Sequence, residues 1–342
     1  MKPLVFVALG IVTCLALVSY SVISPEDEKP SGQENFYKNS LHYTNKGLSY
    51  IYSKEQGGLE RLTGMPAGEM GCQRARCHAY TCDACHVKES GNQKAYTLDT
   101  AVLYAACRRC HGDMARDNPD VHFSRGMKCN DCHTSREIHG DGTEHNTYLE
   151  PGFFDVSCRK CHVTLTPSES HTVHGDKLDC IACHGIEGTT CMNCHIETRY
   201  SGGKDAQIPL HNMAFLVNHN GKVTLANLLT YVYQNKTMIT FAKDFSHSVK
   251  KAGRVCKDCH GTAIVNGMKD KTFRLTRWEK DSLVNVRGVI PVLDGYDWNL
   301  VFLTKENGKW VPLPDPEKPL LNYSGYCSPI TQAQFESLLK FY

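Results

Sequence analysis

Residues 72–86 read CQRARCHAYTCDACH, and the pattern that closes this stretch recurs as far as His260. Seven copies have the spacing Cys-x-x-Cys-His. They are Cys82, Cys85 and His86; Cys107, Cys110 and His111; Cys129, Cys132 and His133; Cys158, Cys161 and His162; Cys180, Cys183 and His184; Cys191, Cys194 and His195; and Cys256, Cys259 and His260. An eighth, Cys72, Cys77 and His78, has four residues between its cysteines. Two thiols and an adjacent imidazole are what covalent attachment of c-type haem needs. The thiols form thioethers with two vinyl groups, and the imidazole becomes the proximal ligand of the iron. Zinc also uses Cys-x-x-Cys, but it does not require a histidine directly after the second cysteine, and every copy here has one. The motifs predict eight haem c groups, or seven if Cys72–His78 is not an attachment site.

The eight motifs use sixteen of the 18 cysteines and leave Cys14 and Cys327, so a disulfide scaffold is not expected. Roughly forty residues per haem is too few for a conventional core at each one. The expected fold is therefore a mostly irregular and α-helical chain wrapped around its haems, and folding should depend on their insertion. The formal charge of +2 falls to about −6 if each ferric haem with two propionates contributes about −1. That balance argues against nucleic acid as a partner.

Residues 1–24 begin with Lys2 and run apolar from Leu4 to Val18, which reads as an export signal or a retained N-terminal anchor. Residues 25–262 then form the expected haem-carrying body, opening with a helix over 39–52 that bears His42. Within it, residues 213–243 alternate apolar and polar positions around Asn220-Gly221 and Gln234-Asn235-Lys236, the signature of inserted β-hairpins. Residues 263–342 contain no motif and read as a small β-rich appendage. Its signals are a hairpin turning at Asn307-Gly308 and a closing helix over 332–340, started by the capping box of Thr331 and Gln334.

Eight of the 17 histidines belong to the motifs, and nine remain. Eight distal ligands are needed if every iron takes two imidazoles, so supply exceeds demand by one. His42, His122, His139, His171, His174 and His247 are the leading candidates. His211 and His219 follow, and His145 is the expected spare.

The motif series and the upstream histidines resemble the secreted multihaem c-type cytochromes over roughly His42 to His260. The wider spacing of Cys72 and Cys77 also occurs in that group, and there a histidine just upstream of one motif commonly reaches a different haem. The resemblance implies electron transfer in extracellular respiration, on the cell surface or outside it, to a redox partner protein or an external acceptor. It also implies a membrane link only through a retained anchor, and some members assemble as homo-oligomeric filaments. The alternative is an octahaem oxidoreductase acting on a nitrogen or sulfur oxyanion at one open haem. Some such enzymes mark that haem with lysine in place of the motif histidine, whereas all eight motifs here end in histidine. The chain is expected to be a carrier with no catalytic residues.

Overall fold

The computed structural model describes residues 33–70, 79–101, 104–111, 120–201 and 206–340. The expected signal or anchor over 1–24, and Cys72, Cys77 and His78, lie outside the described residues.

The strands follow one another as β1 (Val87–Ser90), β2 (Gln93–Tyr96), β3 (Thr190–His195), β4 (Ile208–Pro209), β5 (Met213–His219), β6 (Lys222–Tyr233) and β7 (Lys236–Lys243). After a long gap come β8 (Thr276–Glu279), β9 (Ser282–Asn285), β10 (Gly288–Pro291), β11 (Leu303–Glu306), β12 (Lys309–Pro312), β13 (Leu320–Ser324) and β14 (Cys327–Ser328). β1–β2, β8–β9 and β11–β12 are separate two-stranded hairpins, and the other eight strands share one sheet.

That sheet is built on the meander β5–β6–β7. Asn220 (φ 48°) and Gly221 (φ 74°) make the tight turn between β5 and β6, where two consecutive left-handed residues match the twist of the flanking strands. Asn307 (φ 49°) and Gly308 (φ 79°) do the same between β11 and β12. β3 lies parallel to β6, β10 parallel to β5 and β13 parallel to β7. β14 pairs with β5, so residues 320–328 touch both outer edges of the meander and the sheet curls back on itself. Phe215, Phe241 and Trp298 meet inside the curl, with ring centres 5.1–6.4 Å apart. Each such side chain contributes about 1.5–3 kcal/mol on full burial.

This sheet corrects the expected fold class. The chain is not mostly irregular and α-helical, and its tail is not a small appendage. A strand from the motif stretch, three from the insertion and three from the tail (β10, β13, β14) belong to one sheet with one core. The physical reason is that residues 213–339 supply their own apolar interior, including Phe215, Leu225, Leu228, Phe241, Leu275 and Ile290, all with no accessible surface. A second cluster of Leu59, Leu62, Met70, Ile196, Tyr231 and Met238 ties the N-terminal helices to the same sheet.

Apart from β3, the described motifs themselves lie on short helical turns. The helix expected over 39–52 is two, Leu41–Thr44 and Lys46–Tyr52, because Asn45 takes a left-handed conformation (φ 52°) between them. The closing helix is Gln332–Leu338, with both arms of its Thr331–Gln334 capping box formed. Among the described residues no helix is long and apolar enough to cross a membrane.

Candidate functional site

Cysteine, cysteine and histidine at positions i, i+3 and i+4 share a face only if the backbone makes a helical turn. It does so in the motifs ending at His86, His133, His162 and His260, where the histidine N–H donates to the carbonyl of the first cysteine at 2.8 Å. The motifs ending at His111 and His184 lie in the helices Tyr104–His111 and Cys180–His184. No described cysteine is in a disulfide, as thioether formation requires.

Opposite each of these six motif histidines stands a second imidazole. The pairs are His86–His139, His111–His42, His133–His247, His162–His122, His184–His171 and His260–His174. Their ring centres are 6.0–6.3 Å apart. A metal bound by two imidazole nitrogens at about 2 Å each, plus about 1.1 Å from nitrogen to ring centre on each side, separates the rings by about 6.2 Å. The gap therefore fits one iron between two histidines. The ring planes lie within 26–33° in four pairs and cross at 69° and 65° in His42–His111 and His122–His162.

In eight of these twelve histidines the Nδ1 atom faces an acceptor. Nδ1 of His86, His184 and His260 faces the carbonyls of Thr97, Lys250 and Ser337 at 3.3, 3.2 and 2.9 Å. Nδ1 of His139, His171 and His174 faces those of Ser135, Thr166 and Ser170 at 3.1, 2.8 and 2.9 Å. His133 and His122 face Glu137 at 2.8 Å and Asp120 at 3.2 Å. Such contacts fix the proton on Nδ1 and leave Nε2 as the ligating atom. Burial, followed by the neighbouring imidazoles, lowers the basicity of His42, His111 and His247. That direction favours the neutral form, the one able to ligate.

The motif ending at His195 is built differently. It is a strand, β3, interrupted by a bulge between Cys191 and Cys194, with Asn193 left-handed (φ 55°). Asn193 holds the bulge in place: its N–H donates to Thr230 Oγ1 at 2.7 Å, and its Oδ1 accepts from Leu303 N–H at 2.8 Å. His195 is buried, and its ring stands edge-on to Trp310 at 6.4 Å. Its Nδ1 accepts from Thr198 N–H at 3.4 Å, and its Nε2 lies 3.5 Å from Thr304 Oγ1. Thr198 Oγ1 lies nearer still, 3.0 Å from Nδ1, so this ring faces hydroxyls where the paired histidines face carbonyls or carboxylates.

The remaining candidates do not join a described pair. His211 is exposed, with Nδ1 3.2 Å from Glu187. His219 ends β5 opposite Lys222 and Cys327, and burial, then Lys243, pushes it down to about 4. The expected spare, His145, holds Glu150 at 2.7 Å and packs on Phe153.

Among the described residues, no three or more His, Cys, Asp or Glu side chains converge in a group that could hold a metal ion. On that finding, and because β3 lacks the helical turn, the expected set of eight haem c groups, or of seven, is corrected. The side chains come together as six two-imidazole gaps. Sequence reasoning missed the acceptors Glu137 and Asp120, whose signal is only a carboxylate four residues after, or two before, a histidine.

No family model matches the chain, and no curated protein or solved structure is significantly similar to it.

Proposed function

We propose that the chain is an electron carrier whose working sites are the six histidine pairs. The observation that carries this reading is the common 6.0–6.3 Å separation of six imidazole pairs, each joining a motif histidine, beside two cysteines outside any disulfide, to a histidine from outside its own motif. A c-type haem bound in such a gap supplies an iron that takes up and gives up one electron.

The residues do the rest. The cysteines at i and i+3 would tether the group to a helical turn, and the paired histidines would hold its iron from both sides. Sites held in that way would leave no place for a substrate to bind, which favours a carrier over an oxyanion reductase. The apolar run over residues 4–18 favours export, and we place the carrier outside the cytoplasm, passing electrons to a redox partner or an extracellular acceptor.

Electron paramagnetic resonance of the purified, fully oxidised protein, integrated against total iron, tests the proposal. Low-spin signals from doubly ligated haem are expected, with haem-bearing peptides at the motifs ending at His86, His111, His133, His162, His184 and His260. Protein carrying no covalent haem, or only high-spin iron, would overturn it. Electron microscopy of the same sample separates a single carrier from a filament subunit.

A further inference from the structure

The six pairs fall into a spatial order. Cys85 lies within electrostatic reach of Cys107, whose thiol is within hydrogen-bond reach of Cys129. Cys132 lies within electrostatic reach of Cys161, and Cys183 of Cys259, while the Cys158 thiol is within hydrogen-bond reach of Cys180. Each of these six motifs thus has the next within reach, and the sites run in one file from His86–His139 through His111–His42, His133–His247, His162–His122 and His184–His171 to His260–His174.

The two carboxylate-backed sites are neighbours at the centre of that file. Glu137 is buried, and besides His133 Nδ1 it accepts from Thr134 N–H at 3.3 Å and Val156 N–H at 3.0 Å. Asp120 is buried too, accepting from His122 Nδ1 and N–H, from Phe123 N–H at 3.3 Å and from Val249 N–H at 2.8 Å. At the outer sites the Nδ1 atoms face uncharged acceptors: the carbonyls of Thr97, Thr166, Ser170, Lys250 and Ser337, and both the hydroxyl and the carbonyl of Ser135.

A carboxylate on Nδ1–H draws the proton away from the ring and makes Nε2 a stronger donor, which favours the more highly charged ferric iron. The effect is larger in a buried, low-dielectric setting. A carbonyl does the same more weakly. We propose that Glu137 and Asp120 are positioning residues that hold the two central sites of the file at lower reduction potential than the outer four. Electrons then rest toward the two ends and cross a raised middle. This inference rests on the electron-carrier reading and adds to it the energy profile of the path.

Ring-plane angle labels the two central sites for the test. Near-parallel imidazoles, as in His133–His247 at 26°, split the iron d orbitals and give an ordinary rhombic low-spin signal. Near-perpendicular ones, as in His122–His162 at 65°, leave two orbitals close in energy and give a highly anisotropic signal. A redox titration of the holoprotein followed by paramagnetic resonance should show that the two lowest-potential components comprise one of each class. Glu137→Gln should raise the lowest rhombic component and Asp120→Asn the lowest highly anisotropic one, with full low-spin intensity retained and the other components unmoved.

Two lowest components of the same class in the unmutated protein would overturn the proposal, whether or not either variant folds. So would variants of full haem content in which neither component moves. An absence of low-spin signals altogether would instead strike the carrier reading itself, so the two failures are distinguishable.

Discussion

His111 and His42 face each other across 6.1 Å with ring planes crossing at 69°, whereas His86 and His139, one site away in the file, lie within 26° of parallel. The angle is set by which backbone acceptor each ring can reach. His42 bonds to the Ile138 carbonyl and His139 to Ser135, so both rings are fixed by the same short helix, Ser135–His139. The spectrum of the oxidised protein should therefore resolve four rhombic and two highly anisotropic low-spin components from these six sites. A spectrum in which all components fall in one class would contradict the arrangement of the rings.

Arg254 predicts a stability effect centred on one pair. Its guanidinium donates to the carbonyls of Ala182 at 2.8 Å, Gly185 at 2.7 Å and Ile186 at 2.6 Å, closing the end of the helix that carries Cys183 and His184. Charged hydrogen bonds of this kind contribute about 1.5–3 kcal/mol each, with losses that do not simply add. Arg254→Ala should cost about 2–4 kcal/mol in denaturant unfolding of the holoprotein. Arg254→Lys should recover only part, since one ammonium cannot span three carbonyls held in a fork. Equal stability of the lysine and native proteins would show that the fork geometry is irrelevant.

The sequence made the motifs legible because their chemistry is local: three side chains on one helical turn. It also pointed to His42, His122, His139, His171, His174 and His247 as distal ligands. Which of them meets which motif was hidden, because His133 reaches His247 only through the fold of everything between them. The hairpins at Asn220-Gly221 and Asn307-Gly308 were readable for the same local reason as the motifs. The parallel pairings of β10 with β5 and β13 with β7 join segments far apart in sequence, and no turn announces them. Residues 191–195 were misleading because the motif letters are unchanged in a strand. The pair of β-branched residues before them, Thr189 and Thr190, was the only warning.

Cys327 should be chemically silent. It is 8% exposed, and its thiol donates to the carbonyls of Ser324 at 3.0 Å and Phe241 at 3.4 Å, while burial pushes it up to about 12. At pH 8 the reactive thiolate is then on the order of one part in ten thousand. Native protein should resist iodoacetamide at this position, with labelling found by peptide mass mapping only after denaturation. A disulfide-linked dimer through Cys327 on a non-reducing gel would contradict its burial in the core.

The pairing of Arg136 with Asp155 sets a pH dependence whose sign can be worked out. Arg136 Nε donates to Asp155 Oδ2 and Nη2 to Oδ1, both at 2.9 Å, and Thr134 Oγ1 adds a bond at 2.7 Å. These contacts, Arg136 first, hold the Asp155 carboxyl at about 2, below its ordinary 3.8. A carboxylate with a depressed value in the folded state binds fewer protons there than in the unfolded chain. Its contribution is complete above about pH 4 and fades as the pH falls through about 2. Asp155→Asn removes the titrating group while keeping its shape, so it should be less stable than the native protein at pH 5–7. The gap should close between about pH 4 and pH 2. Unfolding midpoints of both proteins at pH 7, 4, 3 and 2 read this directly. A gap that stays constant across that range would mean that Asp155 contributes through packing rather than through its charge.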